Sequence, residues 1–343
     1  MSAIFDRERL DALVADGWLR SQRHPEADLW IYNYTERTQY ENHWTPETLA
    51  CRGLILDAES RIVARPFPKF FNYGTPQAAD LPVEPFTVTE KVDGSLGILY
   101  YLDGEPCIAT RGSFVSEQAV EGTRMIRERE VERPINATVL FEIVYPGNRI
   151  VVDYGDQRDL ILLAAICHQT GWDLTLPAYS GPVAERYDHS DIDALAALEE
   201  PNREGFVIAF ESGVRLKVKF AEYVRLHKIV TGVNARNVWE AMRDGDDLES
   251  LLDGVPDEIY DWITRTRDTI RDAYDAELQK AQAVFEARPD TDRKGLAAYF
   301  QASGANTAVL FKLLDGKSVR ELIWKAIKPE PETPASIPSL DAA

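Results

Sequence analysis

The segment FTVTEKVDGSLGILYY, residues 86–101, carries the clearest structural signal in the chain. The residues before Lys91 alternate between apolar and polar, Asp93-Gly94 is a tight-turn pair, and Leu96–Tyr101 predicts a second strand. Lys91 therefore lies where a strand gives way to a turn, and Gly94 permits close approach of a ligand to the backbone. The pattern indicates a strand-rich fold with Lys91 facing a cleft. The same spacing also occurs in ordinary hairpins, where the lysine is solvated.

A second segment, EGFVIAFESGVRLKVKF at residues 204–220, alternates in the same way. Its last strand places Arg215, Lys217 and Lys219 on one face and apolar residues on the other. Three cations at roughly 6–7 Å intervals repel one another unless an anion lies over them. The strand predicts either a solvated outer face or an anion-binding face.

Composition restricts the class of protein. The 343 residues are 45% apolar and 28% charged, which is typical of a globular protein with a real core. The net charge of −19 argues against a protein that coats nucleic acid, yet residues 203–228 hold six basic and three acidic side chains. Widely spaced cysteines, no apolar run of membrane-spanning length and no signal peptide predict a cytoplasmic protein with reduced thiols.

The patterning divides the chain into three parts. We expect an α+β domain over residues 1–232, a helical domain over 233–328 and a disordered, Pro-rich tail over 329–343. Helices are predicted at 4–20, 116–131 and 190–199. Strands are predicted at Gly53–Leu56, Phe86–Thr89, Leu96–Leu102, Val139–Tyr145, Arg149–Val152, Leu160–Ile166, Phe206–Phe210 and Val214–Phe220.

Two further segments contribute chemistry. CRGLILD and ARPFPKFFNYG supply Arg52, Lys69, Phe70 and Phe71 ahead of the Lys91 turn. TVLFEIVYPGNRIVVDY places Glu142 in an apolar strand, where a carboxylate is costly without a partner.

Together, these motifs occur in a fixed order: KxDG, a strand glutamate, EGxV and KxK. That order resembles the covalent nucleotidyltransferase superfamily of polynucleotide ligases and mRNA capping enzymes. FPKFFNYG, KVDGS and FEIVYPGNRIVVDYG resemble, more narrowly, the bacteriophage-type RNA ligase 1 family over roughly residues 30–230. The resemblance implies an ATP-grasp-like, antiparallel-sheet nucleotidyltransferase domain followed by an all-helical domain.

The resemblance also implies roles for individual residues. Lys91 would be the nucleophile, and Lys217, Lys219 and Glu204 would complete the catalytic set. The implied nucleotide-binding residues are Glu90, Lys91, Arg52, Lys69, Phe71, Gly94, Arg111, Glu142, Gly205, Lys217 and Lys219. Asp93, Glu142 and Glu204 would hold Mg²⁺ or Mn²⁺, directly or through water. The family often has Lys where this chain has Arg111, which keeps the charge but changes the hydrogen-bond geometry.

The implied reaction has three steps. Lys91 attacks the α-phosphate of ATP and expels pyrophosphate, AMP passes to an RNA 5′-phosphate, and an RNA 3′-OH then displaces AMP. The implied partners are ATP and RNA with 5′-phosphate and 3′-OH ends, and the implied role is RNA repair, for instance of tRNA, by a monomer. Because a free lysine has a pKa of ~10.4, we expect Lys217, Lys219 and a bound metal ion to lower the pKa of Lys91.

Other functions are weighed against this one. A DNA ligase or a GTP-using capping enzyme normally continues into a small β-barrel, whereas residues 234–328 have helical patterning. A non-catalytic nucleotide- or RNA-binding relative would have lost part of the lysine and glutamate set. A P-loop ATPase is excluded because Phe311 stands where a glycine is required before Gly316-Lys317-Ser318. The five histidines show no metal spacing, and none is assigned a catalytic role.

Overall fold

The computed structural model describes residues 5–246 and 257–333. The strands are β1 (Leu19–Arg23), β2 (Leu29–Tyr34), β3 (Arg52–Asp57), β4 (Ile62–Ala64), β5 (Phe71–Asn72), β6 (Phe86–Glu90), β7 (Ser95–Leu102), β8 (Glu105–Ala109), β9 (Ala137–Val144), β10 (Asp159–Cys167), β11 (Asp173–Leu174), β12 (Arg186–Tyr187), β13 (Gly205–Phe210) and β14 (Arg215–Lys219). The helices are α1 (Arg7–Ala15), α2 (Glu36–Tyr40), α3 (Pro46–Ala50), α4 (Glu117–Ile126), α5 (Ile192–Ala196), α6 (Ala221–Gly232), α7 (Ala235–Asp244), α8 (Asp257–Glu286), α9 (Arg293–Ala302), α10 (Thr307–Leu314) and α11 (Arg320–Ala326).

Within residues 5–246 the strands form three sheets. The first is an antiparallel meander in the order β1-β2-β3-β4. The second is antiparallel in the order β11-β10-β9-β7-β8. The third has the order β12-β6-β13-β14-β5 and is antiparallel except for the β14–β5 pair. The predicted α+β class, antiparallel sheets followed by helices, is confirmed.

The second sheet is covered on both faces. Ile31 and Ile55 of the first sheet pack against Ile98 and Leu140 on one face. Met125 and Ile126 of α4 pack, together with neighbouring apolar side chains, against the other face. Burial on both faces explains why β7, β9 and β10 read as nearly continuous apolar runs.

The third sheet is amphipathic, and this positions the cleft. Apolar side chains of β6, β13 and β14, including Val88, Ile208 and Leu216, pack against Ile150–Val152 and α5. Side chains on the opposite face line a cleft of about 930 Å³. The cleft is also lined by the second sheet and by the edge of the first sheet. The predicted alternation of β14 is therefore seen as one apolar face and one cleft face.

The first helix is shorter than predicted. Asp6 accepts hydrogen bonds from two amides of its first turn, and the helix ends at Ala15 rather than near residue 20. Gly17 adopts the left-handed backbone (φ 78°), which ends the helix and lets Leu19 begin β1.

The chain separates into two compact units that meet in sequence between His227 and Lys228. This point lies within α6, five residues before the predicted boundary at residue 232. The core of the second unit is formed by apolar side chains of α8–α11, including Phe300, Leu310 and Ile323. The predicted disordered tail falls mostly on residues 334–343, which lie outside the described residues. Of the helices in residues 5–246 and 257–333, none is both long and apolar enough to cross a bilayer.

Candidate active site

The turn after β6 is held tightly in place. The backbone amide of Lys91 donates to the carbonyl oxygen of Gly205 at 2.9 Å, which fixes the turn to β13. A Cβ atom on Gly94 would lie 2.6 Å from the carbonyl oxygen of Ile143, so only glycine fits between the turn and β9. Lys91 therefore stands on a rigid support at the cleft edge.

Three neighbouring strands end at the same edge of the third sheet. Register pairs Glu90 with Phe206 and Gly205 with Lys219, so the end of β6, the start of β13 and the end of β14 converge. Glu204 Oε2 accepts from Lys91 Nζ at 2.7 Å, and Glu204 Oε1 lies 2.7 Å from Lys219 Nζ. The Glu204 side chain is only 2% exposed. A buried carboxylate thus bridges two ammonium groups that are far apart in sequence.

The electrostatics differ from our expectation for Lys91. Burial alone would lower the pKa of its amine, but the charges of Glu204, Glu142 and Asp93 and the hydrogen bond to Glu204 hold the pKa above its ordinary value. The expected lowering by Lys217 and Lys219 is wrong for the protein's own charges, because Glu204 contacts the amine directly. The protein alone keeps Lys91 as an ammonium ion.

The pKa of Lys217 is shifted in the opposite direction to that of Lys91. Burial, followed by the charges of Lys91 and Lys219 and of the more distant cations, lowers the pKa of Lys217 to about 6. Within the described residues its amine forms no ion pair and faces the ring of Phe70 at 5.7 Å. A neutral amine surrounded by cations provides a strong site for an anion, whose charge would favour protonation of Lys217.

The carboxylate of Asp93 links its own turn to two segments that are distant in sequence. Its Oδ2 accepts from the backbone amides of Val151 and Val152 at 2.9 Å each, and its Oδ1 accepts from the Tyr223 hydroxyl at 2.7 Å. These bonds attach α6 and the loop after β9 to the turn that carries Lys91. The strand predicted at Arg149–Val152 is therefore wrong, because two of its amides bind a carboxylate instead of a neighbouring strand.

The three predicted metal ligands are not gathered into a metal cage. Among residues 5–246 and 257–333, no cluster of three or more His, Cys, Asp or Glu side chains is arranged to hold a metal ion. Asp93 accepts from three donors and Glu204 contacts two lysines, so the metal role of these two carboxylates stays a prediction. Burial, with the charge of Glu204, raises the pKa of Glu142 to about 7. Glu142 forms no hydrogen bond or ion pair with any described residue, so its carboxylate fits a cation shared with a ligand phosphate.

A second group of cations lies at the edge of the first sheet. Lys69 and Arg111 lie over the ring of Tyr34 at 5.3 and 5.5 Å, and Arg111 Nη1 donates to the Tyr34 hydroxyl at 3.3 Å. The charge of Arg52 also acts on this hydroxyl. Burial would raise the pKa of Tyr34, but the three cations outweigh burial and lower it. Arg52 Nη1 is buried and finds no hydrogen-bond partner in the described part of the chain. This cluster provides a second place for an anion in the same cleft.

The other predicted nucleotide-binding residues fall at different places. Glu90 lines the cleft, and its carboxylate lies 3.6 Å from the guanidinium of Arg203. Phe71 does not line the cleft; its ring packs edge-on against Trp44, and Phe70 takes the cleft position. Gly205 supports the site from behind: its backbone has φ 141°, and a Cβ atom there would lie 2.0 Å from a carbonyl oxygen of β14.

Arg215, the third cation of β14, already has an acidic partner. It pairs with Asp173 of β11 and its guanidinium lies 4.4 Å from the centre of the Phe67 ring. Of the three cations on this face, Arg215 pairs with Asp173 and Lys219 with Glu204, and Lys217 alone forms no ion pair within the described residues.

Sequence reasoning missed several cleft residues. Tyr34, Tyr223 and His227 line the cleft, and Tyr154 accepts from the Asp93 amide at 2.9 Å. Single tyrosines and histidines are common in strands and helices, so these positions carried no recognisable spacing. Their roles follow from the tertiary arrangement alone.

Comparison with known proteins identifies the class. The model of the phage T4-type RNA ligase family matches residues 50–224, just over half of the chain and all of the strand ends described above. The chain therefore belongs to this RNA ligase family.

Individual relatives agree with this family. The "Putative bifunctional polynucleotide kinase/RNA ligase" of Autographa californica nuclear polyhedrosis virus is 29% identical over 246 residues, covering 61% of this chain and 35% of that protein. The RNA ligase of Rhodothermus phage RM378 is 23% identical over 367 residues, covering 79% of this chain and 81% of that protein. The chain thus spans about a third of the first relative. A solved archaeal ATP-dependent RNA ligase shares 15% identity with a TM-score of 0.47, covering 92% of this chain and 97% of its own.

Proposed function

We propose that the protein is an ATP-dependent RNA ligase that joins 5′-phosphate and 3′-OH ends through a lysyl–AMP intermediate on Lys91. The observation that carries this proposal is the contact of Glu204 with both Lys91 and Lys219 beside the neutral amine of Lys217. A nucleophilic amine next to a built anion site is the arrangement that phosphoryl transfer to lysine requires.

The first step follows from these contacts. In the proposed mechanism the α-phosphate of ATP lies over Lys217 and Lys219, which stabilise the charge that develops on its oxygens. The ammonium of Lys91 loses a proton, its nitrogen forms a bond to the α-phosphorus, and the bond to pyrophosphate breaks. Glu204, in direct contact with Lys91, is placed to receive that proton.

The cation cluster around Tyr34 suits the remaining phosphates. Arg52, whose buried Nη1 has no hydrogen-bond partner among the described residues, and Lys69 lie in the same cleft as Lys217. We assign them to the β- and γ-phosphates in the first step. Arg111 would contribute through its contact with Tyr34.

A divalent metal ion fits this site as a partner of the nucleotide. Glu142, with a carboxylate pKa near 7 and no other partner among described residues, would hold it together with phosphate oxygens. Such an ion supplies charge neutralisation at the phosphates and favours the neutral amine of Lys91. Mg²⁺ is the natural candidate, because it usually takes only one or two protein carboxylates.

We propose that the second and third steps follow the same kind of displacement at phosphorus. AMP passes from Lys91 to the 5′-phosphate of an RNA, and a 3′-OH then attacks that phosphate and releases AMP. Repair of broken RNA in the cytoplasm is the setting we propose, and three free cysteines support a reducing compartment.

The decisive experiment uses ATP labelled at the α-phosphate with Mg²⁺. We expect label to remain on the denatured protein, to be lost in Lys91→Ala, and to persist in Lys294→Ala, a matched control at an exposed lysine. Equal labelling of the wild type and Lys91→Ala would overturn the proposal.

A second assay separates RNA from DNA ligase. Single-stranded 5′-phosphorylated RNA and DNA of the same sequence are offered to the labelled protein. We expect sealing of the RNA, and sealing of the DNA alone would replace the proposed substrate.

A further inference from the structure

A second ion pair joins the residues that directly precede Lys91 and Glu204. Glu90 Oε1 lies 3.6 Å from Arg203 Nη2, while Lys91 and Glu204 are in contact at 2.7 Å. Both pairs bridge the same two segments, the end of β6 and the residues before β13. The mechanism proposed above uses only the Lys91–Glu204 pair.

The Glu90–Arg203 pair lies on the side of the third sheet that faces the apolar layer. Glu90 borders the cleft, but its register partner on β13 is Phe206, whose ring belongs to that layer. Directly opposite residues share a face of a sheet. The Arg203 guanidinium accordingly lies 6.0 Å from the centre of the Phe206 ring and 5.1 Å from that of Tyr187. The two ion pairs thus hold the strand ends from opposite sides.

Arg203 pairs with three carboxylates. Besides Glu90, its guanidinium lies 2.5 Å from Glu200 Oε2 and 3.8 Å from Glu185 Oε2. These carboxylates come from the end of β6, from the residues before β12 and from the loop between α5 and β13. Burial raises the pKa of Glu90, and the charges of Glu185 and Glu200 act in the same direction, whereas Arg203 opposes them. Without Arg203, the like charges would push the three segments apart.

Glu204 lies just beyond the backbone pairing of β6 with β13. That pairing runs as far as the hydrogen bond from the Lys91 amide to the Gly205 carbonyl oxygen, and Glu204 is one residue further out. The side chain of Arg203 ties this outer segment to the end of β6. It therefore fixes the backbone from which the Glu204 side chain reaches the amine of Lys91.

We propose that Arg203 is a positioning residue for the attack of Lys91 on the α-phosphate of ATP, in which it acts through Glu90 to hold Glu204 against Lys91. This inference rests on the proposed function. In this role Arg203 contacts neither ATP nor the reacting amine. A misplacement of about 1 Å can slow a reaction by about 10²-fold, so loss of the pair lowers the rate constant of lysyl–AMP formation. Binding of ATP is affected much less.

The test follows a single turnover of lysyl–AMP formation, with ATP labelled at the α-phosphate and Mg²⁺, over a range of ATP concentrations. Arg203→Met keeps an apolar stem beside Phe206 but removes the charge. We expect the rate constant at saturating ATP to fall at least about 10-fold. The ATP concentration that gives half of the maximal rate should stay close to that of the wild type. Arg129→Met breaks the 2.9 Å ion pair of Arg129 with Asp159 away from the cleft, and this matched control should keep the wild-type rate constant.

Two readouts separate positioning from a general loss of stability. The final labelled fraction reports how much protein is folded, so Arg203→Met should change the rate constant and leave that fraction unchanged. Glu90→Gln breaks the same pair from its other end, and the double variant should be about as slow as the slower single variant. A wild-type rate constant in Arg203→Met, a loss confined to the labelled fraction, or multiplied effects in the double variant would overturn the inference. Failure of the wild type to form lysyl–AMP would instead overturn the proposed function.

Discussion

Lys217 provides a prediction that can be worked out in numbers. Its amine has a pKa of about 6, so roughly 3% of the molecules carry a proton there at pH 7.5. A triphosphate over the amine restores the pKa toward the ordinary value, and Lys217 becomes protonated. Binding of ATP at pH 7.5 should therefore take up nearly one proton at this residue. At pH 5 the uptake should fall to about a tenth of a proton, because the amine is already charged.

Isothermal titration calorimetry measures this uptake directly. ATP is titrated in two buffers of different ionisation enthalpy, with a chelator present so that no metal ion binds and Lys91 is not adenylylated. Glu142, whose pKa is about 7, also takes up protons near an anion. Lys217→Met retains that contribution, so the difference between the two proteins isolates Lys217. Equal proton uptake by the wild type and Lys217→Met at pH 7.5 would refute the reasoning.

The same depressed pKa affects stability. Lys217 is protonated in the unfolded chain and largely neutral in the folded one at pH 7, so its burial costs free energy that decreases as the pH rises toward the unfolded pKa. Lys217→Met should raise the midpoint of thermal unfolding at pH 7 while removing activity. A lower midpoint at pH 7 would contradict this sign.

Three further substitutions test the architecture of the site. Gly205→Ala places a methyl group 2.0 Å from the carbonyl oxygen of Val218 in a strained backbone. We expect the free energy of unfolding, measured by chemical denaturation, to fall by about 2–4 kcal/mol and the yield of soluble protein to be low. Native-like stability would show that β13 and β14 can separate. Asp93→Asn turns an amide donor toward other donors. We expect the free energy of unfolding to fall by about 1–3 kcal/mol and lysyl–AMP formation to slow. An unchanged unfolding curve would show that the hydrogen bonds of Asp93 do not stabilise the fold. Glu204→Gln removes the main charge that raises the pKa of Lys91, so the acid limb of lysyl–AMP formation should move to lower pH in a pH series. A limb that stays in place would mean that Glu204 does not set that pKa.

Local sequence patterns predicted the strands and the turn around Lys91 well. The period-two alternation of β14 follows from steric geometry, since successive side chains must point to opposite faces of a sheet. The turn at Asp93-Gly94 is likewise a local property, because the Asp-Gly pair itself favours a tight turn. These features required no knowledge of distant residues.

The parts that could not be predicted depend on contacts between distant residues. Arg149–Val152 has the apolar composition of a strand, but Asp93 takes two of its amides. The choice of Phe70 over Phe71 for the cleft depends on how β5 pairs with β14. The raised pKa of Lys91 depends on Glu204, which is 113 positions away. The spacing of residues along the sequence does not show which distant residues lie close together in the fold.

The convergence of three strand ends makes activity depend on pairing to within a single residue. A one-residue slip in the pairing of β13 with β14 would send Lys217 and Lys219 into the apolar layer and bring Leu216 and Val218 into the cleft. Folding and chemistry would then fail together, since the same slip exposes core side chains and buries two cations. Length changes in this hairpin are therefore tolerable only where the turn or a bulge absorbs the extra residue without shifting the register.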